Sequence, residues 1–165
     1  THLGEPAEFQ TLLADLCGPA MLQRLDLRIR PDDHGNACHT SCHDCMRDYS
    51  NLAYHSILDW RLGVDMARLA LSAAAPIDFS PSYWAGLPGL AVQRLRDALP
   101  GSTLVQHAGL PGVEHGPRAY IAAHPLWDTR PGSLHPALAA AQASAVGAGL
   151  IPEFRSTFML IRRPL

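Results

Sequence analysis

The sequence contains no lysine, and all thirteen of its basic residues are arginine. A Walker-type phosphate loop needs a lysine, and so do Schiff-base catalysis, the nuclease triad of the restriction-enzyme type and the His-x-Lys phosphodiesterase motif. The absence of lysine therefore excludes a nucleotide-hydrolysing motor and these classes of enzyme from the 165 residues.

Strong net charge and long apolar runs are also missing. The formal net charge of -2 argues against a nucleic-acid surface that acts by bulk positive charge. The longest apolar stretch, residues 137–151, is interrupted by Gln142 and Ser144 and is too short to cross a bilayer. No secretion signal is visible, so we expect a cytoplasmic protein without a membrane partner. Because the sequence starts at Thr1, we expect it to be a piece of a longer protein.

Cysteines are few but clustered: three of the four are Cys38, Cys42 and Cys45. Their spacing lets one turn aim several sulfurs at a single point, as tetrahedral zinc requires. A c-type haem motif would need His where Met46 stands, and a zinc deaminase would need Pro in place of Ser41. A thioredoxin-type dithiol would leave the first cysteine without a role. The spacing therefore predicts a zinc site that starts a helix.

A tetrahedral site needs a fourth ligand, for which the sequence offers His34 and Cys17. His34 is the preferred candidate because it lies close to Cys38 and closes the smaller loop. Cys17 follows an apolar helical pattern, which is typical of a buried thiol. Both candidates stay open at this point.

The residues after the cysteines predict a long helix. Asn51, His55 and Asp59 recur at four-residue spacing, on one face of that helix. These side chains either hydrogen-bond the zinc ligands or a partner domain, or form a buried polar cluster that fixes the helix. An adjacent apolar stripe is expected to pack against the rest of the unit: Tyr54, Leu58, Leu62, Met66, Leu69 and Ala73.

This stretch resembles a known signature, which reads Cys38-His-Thr-Ser-Cys42-His-Asp-Cys45, then Tyr49, Asn51, His55 and Leu58-Asp59-Trp60-Arg61. It is similar to the MrfA-type zinc-binding domain near the C-terminus of bacterial DEAD/DEAH-box (superfamily 2) helicases and in DISARM phage-defence proteins. Two features depart from the family. Many members have four cysteines, and many read Leu-Asp-Arg where Trp60 intervenes here, which leaves the part played by Arg61 open.

The resemblance implies a non-catalytic, structural zinc-binding accessory region. Its partners would be helicase motor domains, in cis or in a complex, which would bind ATP and remodel DNA in DNA repair or phage defence. Zn2+ would then contribute folding energy and no catalysis. Arginines such as Arg24, Arg28 and Arg30 are candidates for DNA contact, although a solvated charged face is the commoner arrangement.

Two other classes of function remain as alternatives. An independent metal-dependent nuclease or hydrolase would have to use Glu114, His115, His124 and Asp128, whose spacing matches no two-metal pattern. A Cys-x-x-Cys redox protein would join Cys42 to Cys45 in a disulfide.

The expected fold class is α+β: a helical zinc module (residues 1–75), a linker (76–88) and a small α/β lobe (89–165) with the order strand, strand, helix, strand. Turn residues and periodicity place the individual elements. Helices are predicted at 5–16, 20–25, 90–99 and 134–148, and strands at 25–29, 103–107, 118–124 and 156–162.

Overall fold

The structure is a computed structural model that describes residues 5–18, 38, 40–43 and 46–165. Helices and a four-stranded mixed sheet confirm the α+β class. The chain divides into two compact units, Thr1–Pro76 and Ile77–Leu165. The helix predicted at 20–25 and the strand predicted at 25–29 lie outside the described residues.

Two packed helices form the described part of the N-terminal unit. Helix α1 (Pro6–Cys17) begins at a proline, whose missing N–H would have had no partner in the first turn. It packs against helix α2 (Trp60–Leu71) and buries Leu13. A short 3-10 helix, Tyr49–Tyr54, precedes α2.

The prediction of one long helix after the cysteines was wrong, because α2 starts only at Trp60. The preceding residue, Asp59, has extended backbone and its carboxylate caps the new helix. The buried face of α2 also differs from the predicted stripe: it comprises Arg61, Val64, Asp65 and Ala67. Met66, a member of the stripe, is 61% exposed.

The residues predicted as a linker, 76–88, belong almost entirely to the C-terminal unit, which begins at Ile77. Ile77 and Phe79 pack against its core. The Trp127 indole N–H donates to the Ile77 carbonyl at 2.6 Å. Trp84, in a second 3-10 helix, is 1% exposed. Aromatic packing therefore fastens this segment to its own unit.

The C-terminal unit is built on a sheet with the strand order β1-β2-β3-β4. The first three strands form an antiparallel meander, and the fourth is parallel to the third. Ala108 and Gly109 both have positive φ, which suits the two-residue hairpin between the first two strands. The elements in chain order are α3 (Leu87–Ala98), β1 (Thr103–His107), β2 (Leu110–His115), β3 (Arg118–Ala123), α4 (Pro136–Gly147), β4 (Ile151–Ser156) and α5 (Thr157–Arg162).

Two strands differ from the prediction, and each contains a proline. β2 was missed because Pro111 and its glycines indicate turns, but pairing with β3 begins only at Gly112, so the proline nitrogen interrupts no bond to that strand. The strand predicted at 156–162 was wrong: β4 ends at Ser156 and α5 follows.

Helices cover both faces of the sheet. On one face, Leu138, Ala141 and Ala145 of α4 are fully buried against alternate residues of β3, including Ile121. The small alanine side chains let this helix approach the sheet closely. On the other face α3 packs against β2 and β3, and α5 packs against α3. The result is a three-layer α/β/α unit.

Gly112 is a position where the sheet leaves no room for a side chain. A Cβ there would lie 2.8 Å from the backbone oxygen of Tyr120. Because that oxygen belongs to the adjacent strand, Gly112→Ala should lower the free energy of unfolding by about 1–3 kcal/mol. Gly147→Ala is the control, since a Cβ at the end of α4 meets nothing within 4 Å. Urea unfolding monitored by tryptophan fluorescence compares the two variants. Equal free energies of unfolding would contradict the close approach of Gly112 to the Tyr120 backbone.

His135 connects stability to pH. Its Nδ1 accepts a hydrogen bond from the Ala137 N–H at 3.3 Å and so caps α4. Its ring stacks on Trp127, with centroids 4.3 Å apart. Burial lowers the pKa of His135, the neighbouring His124 lowers it further, and Asp78 acts in the opposite direction. The folded state therefore disfavours protonation of this ring.

A histidine whose folded pKa is lowered contributes stability above its unfolded pKa of about 6.5 and loses it as the pH falls toward the folded value. We expect wild-type protein to lose more free energy of unfolding than His135→Asn when the pH is lowered from about 7.5 to 5. Asparagine keeps a capping acceptor and cannot be protonated. Urea titrations at both pH values measure the difference, and identical losses would exclude this role.

Candidate metal centre

Two of the predicted zinc ligands lie among the described residues. Cys38 is 4% exposed, and Cys42 is half-buried. His34 and Cys45 lie outside them. Within the described ranges, no three His, Cys, Asp or Glu side chains come together as a possible metal site.

The backbone after Cys42 closes into a turn. The N–H groups of Met46 and Arg47 both donate to the Cys42 carbonyl, at 3.1 and 2.9 Å. The Arg47 side chain also donates through Nε to Oγ of the buried Ser41, at 3.0 Å. These bonds bring the chain back to Cys42 within a few residues, as a cysteine-rich zinc turn requires.

The first turn of α2 is bonded to the cysteine segment. The N–H of Trp60 donates to the carbonyl of Thr40 at 3.1 Å, and Thr40 lies between Cys38 and Cys42. This amide is one of the four that an α-helix leaves without an internal partner. The helix start and the segment that carries the thiols are therefore joined by the main chain.

Arg61 makes the second connection. It is only 3% exposed, and its Nη1 donates to the Cys38 carbonyl at 3.4 Å. Its guanidinium carbon lies 4.4 Å from the centroid of the Trp60 ring. Burying a guanidinium is costly unless hydrogen bonds and aromatic contacts offset the lost hydration. A fixed positive charge therefore lies beside the backbone that carries Cys38.

Asn51 and His55 support the turn from the other side. Asn51 donates through Nδ2 to the Met46 carbonyl at 2.8 Å, and its Oδ1 accepts from the Asp48 N–H at 2.9 Å. His55 Nε2 lies 2.8 Å from that same oxygen and 3.1 Å from the Asp48 carbonyl. Because both neighbours are acceptors, Nε2 carries the proton. Two members of the predicted polar trio, Asn51 and His55, thus bond the backbone at residues 46 and 48, next to the cysteine segment.

Asp48 begins the 3-10 helix as its cap. Its carboxylate accepts from the N–H and the hydroxyl of Ser50, at 2.9 and 2.8 Å. These hydrogen bonds hold the pKa of Asp48 below its ordinary value. The carboxylate is therefore ionised at neutral pH, and the cap stays formed.

Cys17, the competing fourth ligand, lies at the end of α1. Its thiol donates to the Val64 carbonyl of α2 across 3.8 Å. Burial raises the pKa of the Cys17 thiol, an effect that the positive charge of Arg68 opposes. The protonated thiol is a packing group between two helices in this arrangement.

The residues of the nuclease alternative have structural surroundings of their own. His124 is 1% exposed, and its Nδ1 accepts from the Leu126 N–H at 3.2 Å. Asp128 accepts hydrogen bonds from Arg130 and Ser133, which hold the pKa of its carboxyl well below the usual range. Aromatic rings surround His124: Phe79, Trp84 and Trp127.

The sequence reasoning missed a second polar cluster, around His107. This side chain is almost fully buried, with Nε2 3.4 Å from Glu114 Oε1 and Nδ1 3.5 Å from Ser144 Oγ. The three residues belong to β1, β2 and α4, and only the sheet register and the crossover helix bring them together. No local sequence signal marks such a cluster.

Comparison of the chain with protein-family models, with curated proteins and with solved structures finds no match. None of the helices in the described ranges is long and apolar enough to span a membrane. The relationship to the MrfA-type domain therefore stays a prediction that rests on the residue spacing from Cys38 to Arg61.

The cap on α2 gives a direct test of the scaffold. Asp59, 6% exposed, accepts from the N–H groups of Arg61 and Leu62 at 3.1 and 3.4 Å. Asp59→Ala should lower the opening free energy of the first turn by about 1 kcal/mol, because those amides lose their acceptor. Asp59→Asn keeps an acceptor and should cost less. Hydrogen–deuterium exchange of the α2 amides measures both, and equal protection in the two variants would contradict the assignment.

Proposed function

We propose that the N-terminal unit is a structural zinc module and that the chain is a non-catalytic accessory region. Cys38, Cys42, Cys45 and His34 would hold one Zn2+. The chain would support DNA remodelling by a DEAD/DEAH-box helicase, or by a helicase-associated phage-defence protein, whose motor domains bind ATP.

One observation carries the metal part of the proposal: two bonds tie the start of α2 to the backbone that bears Cys38 and Cys42. The Trp60 N–H bonds Thr40, and the buried Arg61 bonds Cys38. Groups that orient metal ligands from outside are typical of such sites. An ion held by the thiols would therefore anchor α2 and, through it, α1.

The donor chemistry fits a closed zinc site. Thiolates and a neutral imidazole are the usual ligands of structural Zn2+, and four of them leave no open position for water. The ion would supply folding free energy, since such modules do not stay folded without metal. The cationic Arg61, whose Nη1 lies 3.4 Å from the Cys38 carbonyl oxygen, places positive charge close to this cysteine.

His34 is preferred as the fourth ligand. The Cys17 thiol is engaged with the Val64 carbonyl, and its raised pKa disfavours the thiolate that zinc needs. Ionising that thiol would remove the donor from the α1–α2 contact. A neutral imidazole binds zinc without being ionised, and His34 is the closest imidazole to Cys38 in the sequence on its N-terminal side.

Exposed apolar side chains on the 3-10 helix and the turn after it support a partner domain. The most exposed is Tyr49, at 93%. Large apolar side chains grouped on a surface indicate a protein interface. A motor domain, in cis or in a complex, fits this surface, since the lysine-free chain contains no ATP-binding loop of its own. The other exposed members are Leu52, Tyr54 and Ile57.

Metal analysis tests the zinc site. The purified full chain should contain one zinc per molecule, with Cys38, Cys42 and Cys45 protected from thiol reagents until a chelator is added. Arg61→Met should weaken zinc binding about tenfold or more, because the carbonyl of Cys38 loses its donor. Met66→Gln, on the exposed face of the same helix, is the matched control.

If the chain folds equally well after exhaustive chelation, the zinc assignment is contradicted. A metal-free disulfide between Cys42 and Cys45 would favour a redox function instead. The variants His34→Ala and Cys17→Ser identify the fourth ligand, because only the substitution that removes the true ligand should abolish zinc retention. The serine variant should instead loosen the α1–α2 contact and keep the metal.

The helicase partnership is tested separately from the metal. A DEAH-type ATPase should be encoded in the same or the adjacent reading frame, and an ATPase from the adjacent frame should co-purify with the chain. Replacing Tyr49 and Leu52 together with serine should weaken that association and leave zinc content unchanged. If the double substitution leaves the association unchanged, the partner binds a different surface of the chain. The absence of any such ATPase would contradict the helicase role.

A further inference from the structure

The two outer strands of the sheet in the C-terminal unit differ in how they resist pairing. β4 contains Pro152, Glu153 and Arg155, and prolines and charges are the features that protect an edge strand. β1 has neither proline nor an acidic or arginine side chain, and its histidine is buried. Within the described part of the chain, β1 pairs only with β2. The unprotected edge of the sheet is therefore β1.

The hairpin register shows which backbone groups β1 offers. His107 and Leu110 flank the two-residue loop, and such flanking residues exchange hydrogen bonds with each other. Counting from His107 toward Thr103, every second residue of β1 therefore hydrogen-bonds to β2. The N–H and C=O groups of Leu104 and Gln106 point away from the sheet, toward a further strand. Their side chains are exposed on the α3 side.

A groove follows this edge on the α3 side of the sheet. Its volume is about 680 Å³, and its lining includes Gly86, Gly89, Leu90, Gln93, Leu104 and Gln106. None of its lining residues is ionisable. Gly89 widens the groove, because a Cβ there would meet nothing within 4 Å. An added strand would lie beside a neutral groove that accepts uncharged side chains.

We propose that β1 pairs with β1 of a second copy of this chain, antiparallel and centred on Val105. Leu104 then lies opposite the partner's Gln106, and Val105 lies opposite the partner's Val105. The outward backbone groups of Leu104 and Gln106 bond those of the same two residues across the two-fold axis. The sheet continues from one copy into the other, and the two grooves meet at the axis.

Charge selects a second copy as the occupant. A two-fold contact places identical surfaces against each other, so a charged strand would face its own charge. β1 is neutral on its exposed side, and the groove beside it is neutral as well. Each copy therefore offers the other an uncharged strand edge. A charged peptide at this edge would lose hydration without gaining an ion pair.

Sedimentation equilibrium of the full chain over a concentration series tests the proposal. Wild-type protein should show a monomer–dimer equilibrium. The double variant L104K/Q106K places lysine opposite lysine twice and should raise the dimer dissociation constant about tenfold or more. Both side chains are exposed, so folding should be retained, which circular dichroism checks. A wild-type chain that stays monomeric at every concentration overturns the proposal.

The register is tested by a charge swap. In L104K/Q106E each introduced lysine faces the glutamate introduced in the other copy, so dimerisation should return to wild-type strength or better. The control is Ile151→Lys, which places one lysine on the opposite edge strand at a residue that is 57% exposed. A dimer that L104K/Q106K leaves intact, or that Ile151→Lys disrupts to the same extent, shows that β1 is not the interface.

Discussion

The buried guanidinium of Arg61 is the constraint on which the N-terminal unit depends. An arginine cannot shed its proton, so it stays charged wherever the fold places it. The Cys38 carbonyl accepts from its Nη1, and the Trp60 ring lies beside the charge, so both contacts offset the cost of burial. If α2 separated from the cysteine segment, the buried Arg61 guanidinium would lose its hydrogen bond to the Cys38 carbonyl. The helix and the cysteine segment therefore form together.

Local chemistry made part of the fold predictable. Helices α1 and α4 each start beside a proline, and β1 is bounded by turn residues, so their positions follow from the sequence alone. Helix α3 starts at Leu87, before the predicted residue 90, because Pro88 lies in its first turn and not in a linker. β2 and β4 were missed because a proline within a strand is acceptable only where its nitrogen faces no partner. For Pro111 that depends on where pairing with β3 begins, which is a property of the assembled sheet.

The candidate site divides in the same way. Cysteine spacing is a local feature, and it predicted a turn at Cys42, where the N–H groups of Met46 and Arg47 both donate to the Cys42 carbonyl. The polar residues Asn51, His55 and Asp59 were also predictable, although not as members of one continuous helix. The contribution of Trp60 was not, because its bond to Thr40 and its contact with Arg61 exist only when α2 starts at that residue. Burial of Arg61 likewise depends on tertiary packing.

The connection between α3 and α5 has a consequence for vectorial synthesis on the ribosome. Arg94 of α3 donates through Nη1 to the carbonyl of Ile161 at 2.5 Å, and β4 supplies the parallel neighbour of β3. Helix α3 therefore gains this contact only after residue 161 has been synthesised. In a nascent chain halted before β4 emerges, one edge of β3 is unpaired. Unpaired strand edges of this kind promote aggregation of incompletely folded chains, and here that exposure lasts until the missing strand leaves the exit tunnel.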